Sequence, residues 1–178
     1  NRRYQTLPSA RLIVNLGCGS GSFAKFYPHP AVVFHIDQGK SPRTGYPAFG
    51  VSHKGVDGFA AAVANNLAQV IIHADVRDAL CRLPSALFDL VVCGQLLEHF
   101  DARDCELLLA ESWRILIPRG ILQIDTVSCE LGETIDEHRQ HFTPDTLREL
   151  TAHFDFRAVI LESFADGCGV WGVFQKDS

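Results

Sequence analysis

The sequence contains no methionine, no C-x-x-C pair and no run approaching the ~18 apolar residues that a membrane-crossing helix needs. Without a methionine, Asn1 is not read as a natural start, and no argument rests on the first residue. No apolar signal segment opens the chain, and the expected location, cytoplasmic, rests on the cysteines. The six cysteines, Cys18, Cys81, Cys93, Cys105, Cys129 and Cys168, stand singly and mostly in apolar stretches. Disulfide scaffolds are shorter secreted chains, so these are read as reduced thiols. There is no basic stripe: 16 Lys and Arg face 21 Asp and Glu, for a net charge of −5. A general electrostatic grip on nucleic acid is therefore not indicated. Repeats, low-complexity segments and linkers are also missing. The 178 residues read as one domain, 1–178, with 1–10 as an N-terminal extension. With 47% apolar and 21% charged residues, the chain is too apolar to be disordered. Nothing in it bears on oligomeric state.

What is present is an alternation. Seven short β-rich runs, at 11–16, 32–36, 70–73, 88–93, 121–127, 156–162 and 170–175, are bounded by Gly, Pro and Asp. Helical patterns lie between several of them, which is the signature of an α/β fold around a parallel sheet. The spacing predicts helices at 57–67, at 101–116 with Asp101 as cap, and at 143–154 with Thr143 as cap and Pro144 in the first turn. Only 163–169 separate the last two strands, too few for a crossover, so they should pair antiparallel.

The stretch Val14-Asn15-Leu16-Gly17-Cys18-Gly19-Ser20-Gly21-Ser22 leaves the first strand through a turn with glycine at three alternate positions. Glycine permits positive φ and close approach of a ligand, and a helix N-terminus beyond it offers free N–H groups. Asp37 closes the second strand, where a carboxylate can accept both hydroxyls of a ribose. Asp75 closes the third, where it can take the exocyclic amine of an adenine. Each acid alone would more often be a capping residue. Three such features on three successive strand ends point to an adenosine derivative. The spacing is G-x-G-x-G, with Ser22 at the last position of the dinucleotide fingerprint, which speaks against a nicotinamide cofactor.

At this point the sequence resembles the class I S-adenosylmethionine-dependent methyltransferases over nearly its whole length. The residues that carry the resemblance are Asn15–Gly21, Asp37, Asp75-Val76, Phe88–Val92 leading into Gln95–His99, and Arg114–Leu122, which is similar to that family's turn before strand five. The resemblance implies a Rossmann-like three-layer sandwich: a seven-stranded, mostly parallel sheet whose antiparallel last strand slots between strands five and six. It implies S-adenosyl-L-methionine as cofactor, held by Asn15, Gly17, Cys18, Gly19, Gly21, Asp37, Gln38, Asp75, Val76, Gly94 and Gln95. The family usually has an acid where this chain has Asn15, which hydrogen-bonds but brings no charge.

The resemblance also places Glu98, His99, His138 and His141 beside the methyl acceptor. A hydroxyl acceptor needs its proton removed, work suited to a His or a carboxylate near pH 7. The alternative for His99 is packing at a helix start. His138 and His141 sit three apart among acids, yet H-E-x-x-H is absent and no Cys is near, so no metal is expected. His35 and His73 read as packed strand histidines. The Asn-Pro-Pro-Tyr-like sequence of base-amine methylation is missing after strand four, where Gly94-Gln95-Leu96-Leu97 stands. The segment around His138 and His141 resembles one in family members acting on sugars, glycans and other small molecules, so the resemblance implies a small-molecule or glycan acceptor, methylated on oxygen or nitrogen. The stretch 39–55, with Lys40, Arg43 and Lys54, is either an acceptor-binding loop or a solvated insertion. Two rivals stand beside this reading: a module that binds the cofactor or a protein partner without chemistry, and a nicotinamide-dependent oxidoreductase.

Overall fold

A computed structural model describes residues 2–19, 22–38, 67–128, 138–164 and 167–178. Its core is a seven-stranded sheet: β1 (Leu12–Leu16), β2 (Ala31–Asp37), β3 (Leu67–His73), β4 (Phe88–Gly94), β5 (Leu116–Val127), β6 (Phe156–Phe164) and β7 (Gly169–Lys176). The order across it is β3-β2-β1-β4-β5-β7-β6. β1 pairs in parallel with both β2 and β4, so the chain reverses its direction of travel at β1. Ligands of open α/β sheets bind at that switch, outside the carboxyl ends of the strands. β7 lies antiparallel between β5 and β6, as the short last connection requires.

Both faces of the central strands β1 and β4 are covered, which is why these strands are apolar almost throughout instead of alternating. Successive side chains still divide between two cores. Val14 and Leu16 join Leu80, Phe88, Val91, Leu108, Leu109, Leu147 and Phe174 on one face. Ile13 joins Tyr4, Leu7, Phe23, Tyr27, Leu90, Val92 and Trp171 on the other. The helices are α1 (Ser22–Phe26), α2 (Val76–Leu80), α3 (Ala102–Ile115) and α4 (Pro144–Ala152). The expected caps are in place. The Asp101 carboxylate accepts from the Asp104 N–H, and Thr143 and Thr146 form a reciprocal capping box.

Several expectations need correction. Residues 1–10 read as an extension, but their described part is integral to the second core: a 3-10 turn, Arg2–Thr6, leads into a segment that buries Tyr4, Leu7 and Ala10. Leu67, the last residue of the helix that the spacing predicts over 57–67, instead opens β3; the rest of that helix, 57–66, lies outside the described residues, as does 39–55. The helix at 101–116 stops at Ile115 because Leu116 already pairs with Phe88 in the sheet. The Ile117–Gly120 turn is absorbed as an irregularity in β5: Arg119 has φ +65°, and pairing resumes at Ile121 with Leu90. The short helix α2 was not foreseen, since five residues show too little periodicity.

Candidate functional site

The glycine turn sits at the carboxyl end of β1. Gly17 and Gly19 have φ +59° and +49°, the left-handed region that glycine enters without strain. A Cβ on Gly17 would also come within 2.9 Å of Leu96 Cδ1. The neighbouring strand holds the turn: Gly17 N donates to Ile36 O at 2.9 Å, and Gly19 N donates to Asp37 Oδ2 at 2.9 Å. Asp37, a buried carboxylate at the end of β2, therefore shapes the turn as well as facing the strand ends. Cys18 is buried inside it, and burial followed by the charge of Asp37 pushes its thiol up. Gln38 is exposed, and its carbonyl contacts His73 Nε2. Gly21 lies outside the described residues.

Asp75 has local partners. It caps α2 by accepting from Arg77 N at 2.9 Å, and the Arg77 guanidinium binds both its oxygens, at 2.9 and 2.7 Å. Arg77 reaches on to Asp104 at 2.7 Å. The hydrogen bond from Arg77 holds the Asp75 carboxyl below the usual carboxylate range. A carboxylate has about four lone-pair sites, so an adenine amine can still share it. Val76 is buried under it.

Beneath the turn, Asn15 and His35 pair on adjacent strands, in register. Both are buried, and Asn15 Nδ2 lies 3.1 Å from His35 Nδ1. An amide nitrogen donates, so the ring nitrogen facing it accepts and the imidazole is neutral. Burial lowers the His35 pKa to about 4, against an opposing hydrogen bond with Gln69. His35 is thus a packed strand histidine, as expected. The sequence showed no sign that it seats Asn15.

A cavity of about 560 Å3 opens beside the turn, within the usual range of small-molecule sites. Asn15, Gly17, Cys18, Gly19, Gly94 and Gln95 line one side. The other side is made of Arg3, Tyr4, Phe23, Asp125, Phe164 and Trp171, none of which was singled out in the sequence. The Tyr4 hydroxyl donates to Asp125 Oδ2 at 3.1 Å, and the Gln95 side-chain amide donates to Asp125 Oδ1. Gln95 N also donates to the Asp125 carbonyl at 2.7 Å, which fixes Gln95 at φ +53°. Burial, then the neighbouring Asp125 charge, pushes the Tyr4 phenol up, so it stays a donor. Phe23 and Trp171 meet the Tyr4 ring edge-on, each at 5.4 Å between centroids.

Gly94 is where this packing leaves no room: a Cβ there would meet Tyr4 Oη at 2.9 Å. Tyr4 cannot retreat, being flanked by Phe23 and Trp171. Gly94→Ala is expected to cost about 1–3 kcal/mol of stability, measured by urea denaturation. A variant as stable as the parent would mean that Tyr4 is not confined.

The four acceptor-side candidates fall into two groups. Glu98 and His99 lie on a 3-10 turn, Leu97–His99, after β4. Glu98 is fully buried; its Oε2 accepts from Thr126 Oγ1 at 2.9 Å, and its carbonyl accepts from Arg139 N and Gln140 N at 2.7 and 3.2 Å. Those two bonds tie the histidine segment to the turn. Burial pushes the Glu98 carboxyl up, opposed by Thr126 and His99. The His138 ring meets His99 edge-on at 4.9 Å, while His141 is exposed, with its ring 6.2 Å from that of His138. Asp125 and Thr126 are consecutive in β5 and point to opposite faces, so the cavity and this cluster flank the strand ends from two sides.

Residues 14–124, more than half of the chain, match the family model described as a methyltransferase domain. The chain belongs to that family, and it is a class I, Rossmann-like methyltransferase whose cofactor is S-adenosylmethionine. The oxidoreductase rival is thereby set aside. No curated protein sequence matches the chain significantly. Among solved structures it is similar to a 1,6-didemethyltoxoflavin N1-methyltransferase from Burkholderia thailandensis, bound to 1,6-didemethyltoxoflavin and S-adenosylhomocysteine, at 17% identity and TM-score 0.69, covering 95% of this chain and 72% of that one. It is also similar to the N-methyltransferase NodS from Bradyrhizobium japonicum, at 17% identity and TM-score 0.66, covering 99% and 92%. A third is an O-methyltransferase family 2 protein from Planctomyces limnophilus in complex with apigenin, at 15% identity and TM-score 0.66, covering 98% and 55%. At these identities the likeness is one of fold.

Proposed function

We propose that the chain transfers a methyl group from S-adenosylmethionine to an oxygen or nitrogen of a small-molecule or glycan acceptor. The observation that carries this reading is the cavity joined to the glycine turn, with aromatic walls and one carboxylate. The local chemistry fits the cofactor: Gly17 and Gly19 line the cavity without side chains of their own, and Asp37 and Asp75 stand at successive strand ends. Asn15, Gly17, Cys18, Gly19, Gly21, Asp37, Gln38, Asp75, Val76, Gly94 and Gln95 are the proposed cofactor contacts. When bound, the cofactor supplies an electrophilic methyl on a sulfonium. Asp125 and the aromatic rings of Tyr4 and Trp171, which line the cavity, offer negative charge and π density to a cation there. With Asn15 uncharged, Asp125 is the one carboxylate among the cavity-lining residues.

Such a displacement depends mainly on holding nucleophile, carbon and sulfur in line, which is positioning work for rigid walls. For a hydroxyl acceptor, His99, His138 or His141 takes the proton. The cysteines among the described residues are free thiols, which supports the cytoplasmic location expected from the sequence. None of the described helices is long and apolar enough to cross a membrane.

The test is calorimetric titration with S-adenosylmethionine and S-adenosylhomocysteine, followed by methyl-transfer assays on phenolic, sugar and amine acceptors. Micromolar binding with turnover on one of these classes is the expected result. Binding without turnover on any of them would favour the non-catalytic module.

A further inference from the structure

We infer that Glu98, His99 and His138 form a binding site for a single divalent transition-metal ion such as Zn2+, with at least one coordination position left open. One ligand atom from each of the three side chains lies within 4.8 Å of the others. A carboxylate oxygen with two imidazole nitrogens is a donor set suited to zinc, and three protein ligands are the number that leaves a position for water or substrate. Zinc–ligand bonds of about 2.0–2.1 Å put tetrahedral ligands roughly 3.4 Å apart. The two half-buried imidazoles would turn to close that difference on binding the ion.

Two independent features favour a cation here over a chance cluster. Glu98 is fully buried, yet its Oε1 has no hydrogen-bond partner among the described residues. A buried carboxylate oxygen without a partner is costly, and a bound cation supplies the missing charge. The supporting contacts are also those of a metal site. Thr126 donates to the other Glu98 oxygen, orienting the carboxylate, and the Glu98 carbonyl holds the Arg139 and Gln140 amides so that His138 stays over the turn. The sequence could not show this set, because the third ligand comes from a separate segment with no spacing motif.

The inference goes beyond the proposed methyl transfer and does not depend on it. The metal would sit at the ends of β4 and β5, with its open position available to an oxygen of an acceptor. With three ligands engaged, the exposed His141 becomes the imidazole available for proton transfer.

The test uses the full chain, stripped with a chelator and titrated calorimetrically with Zn2+ and, separately, Mg2+. One equivalent of Zn2+ should bind, with Mg2+ far weaker. Glu98→Gln and His138→Ala should each lose at least about 100-fold in Zn2+ affinity, while His153→Ala and Cys81→Ser, at two exposed positions, should not change it. The Co2+-loaded protein should show visible d–d bands without a thiolate charge-transfer band. Circular dichroism checks each fold, and His138→Ala carries the test if Glu98→Gln does not fold. No stoichiometric binding, binding unchanged in His138→Ala, or a thiolate band would overturn the site. S-adenosylmethionine titration of the same samples keeps this outcome separate from that of the methyltransferase reading.

Discussion

Asp37→Ala is expected to weaken S-adenosylmethionine binding by about 100-fold. The carboxylate has two tasks. It accepts the Gly19 N–H and so fixes the glycine turn, and it stands where a ribose would present its hydroxyls. Hydrogen bonds to a charged group are worth about 1.5–3 kcal/mol each, and 1.4 kcal/mol is a factor of ten in affinity. Losing even one ribose contact together with the turn's anchor reaches the stated size. Asp37→Asn keeps one acceptor for Gly19 and removes the charge, so its affinity should fall between the two. Calorimetry decides: parental affinity in Asp37→Ala would remove Asp37 from the cofactor site.

The second large effect is on stability and comes from His35. Its folded-state pKa, about 4, lies below the ~6.5 of an unfolded histidine. As pH falls through 6.5, the unfolded chain takes up a proton that the folded chain refuses, so stability drops until the folded pKa is reached. Between pH 7 and 5 the expected loss is about 2 kcal/mol. The cause is structural: an imidazolium at this position would be a buried charge, with an N–H turned toward the Asn15 amide. His35→Gln keeps a hydrogen-bonding group and removes the titration, so urea denaturation of the variant at pH 7, 6 and 5 should lack this slope. A variant with the parental slope would assign the effect to another group.

How much of this was legible in the sequence depended on how local each signal was. The strands and the caps at Asp101 and Thr143 show in a few consecutive residues, because burial on both faces and the needs of a helix start are written locally. The turn at Gly17 and Gly19 was legible for the same reason: positive φ selects glycine. Tyr4, Asp125 and Trp171 were not legible. They lie on an N-terminal turn, a parallel strand and an antiparallel strand, and only the sheet order brings them together. Asp75 shows an intermediate case. The sequence offered capping and adenine recognition side by side, and the structure gives it a cap and an arginine, with acceptor capacity to spare.

The wall that Tyr4 gives to the cavity also has a consequence for biosynthesis. Its partner Asp125 lies 121 residues later, the Arg3 contact with Glu162 spans 159, and the facing Trp171 is on the last strand. Contacts of such sequence separation form late, because a long loop must be closed before they contribute. The glycine turn and β2 can meet while the ribosome is still working. The chamber beside them closes only after β7 has emerged, so a nascent chain cannot reach its ligand-competent form before that strand is made.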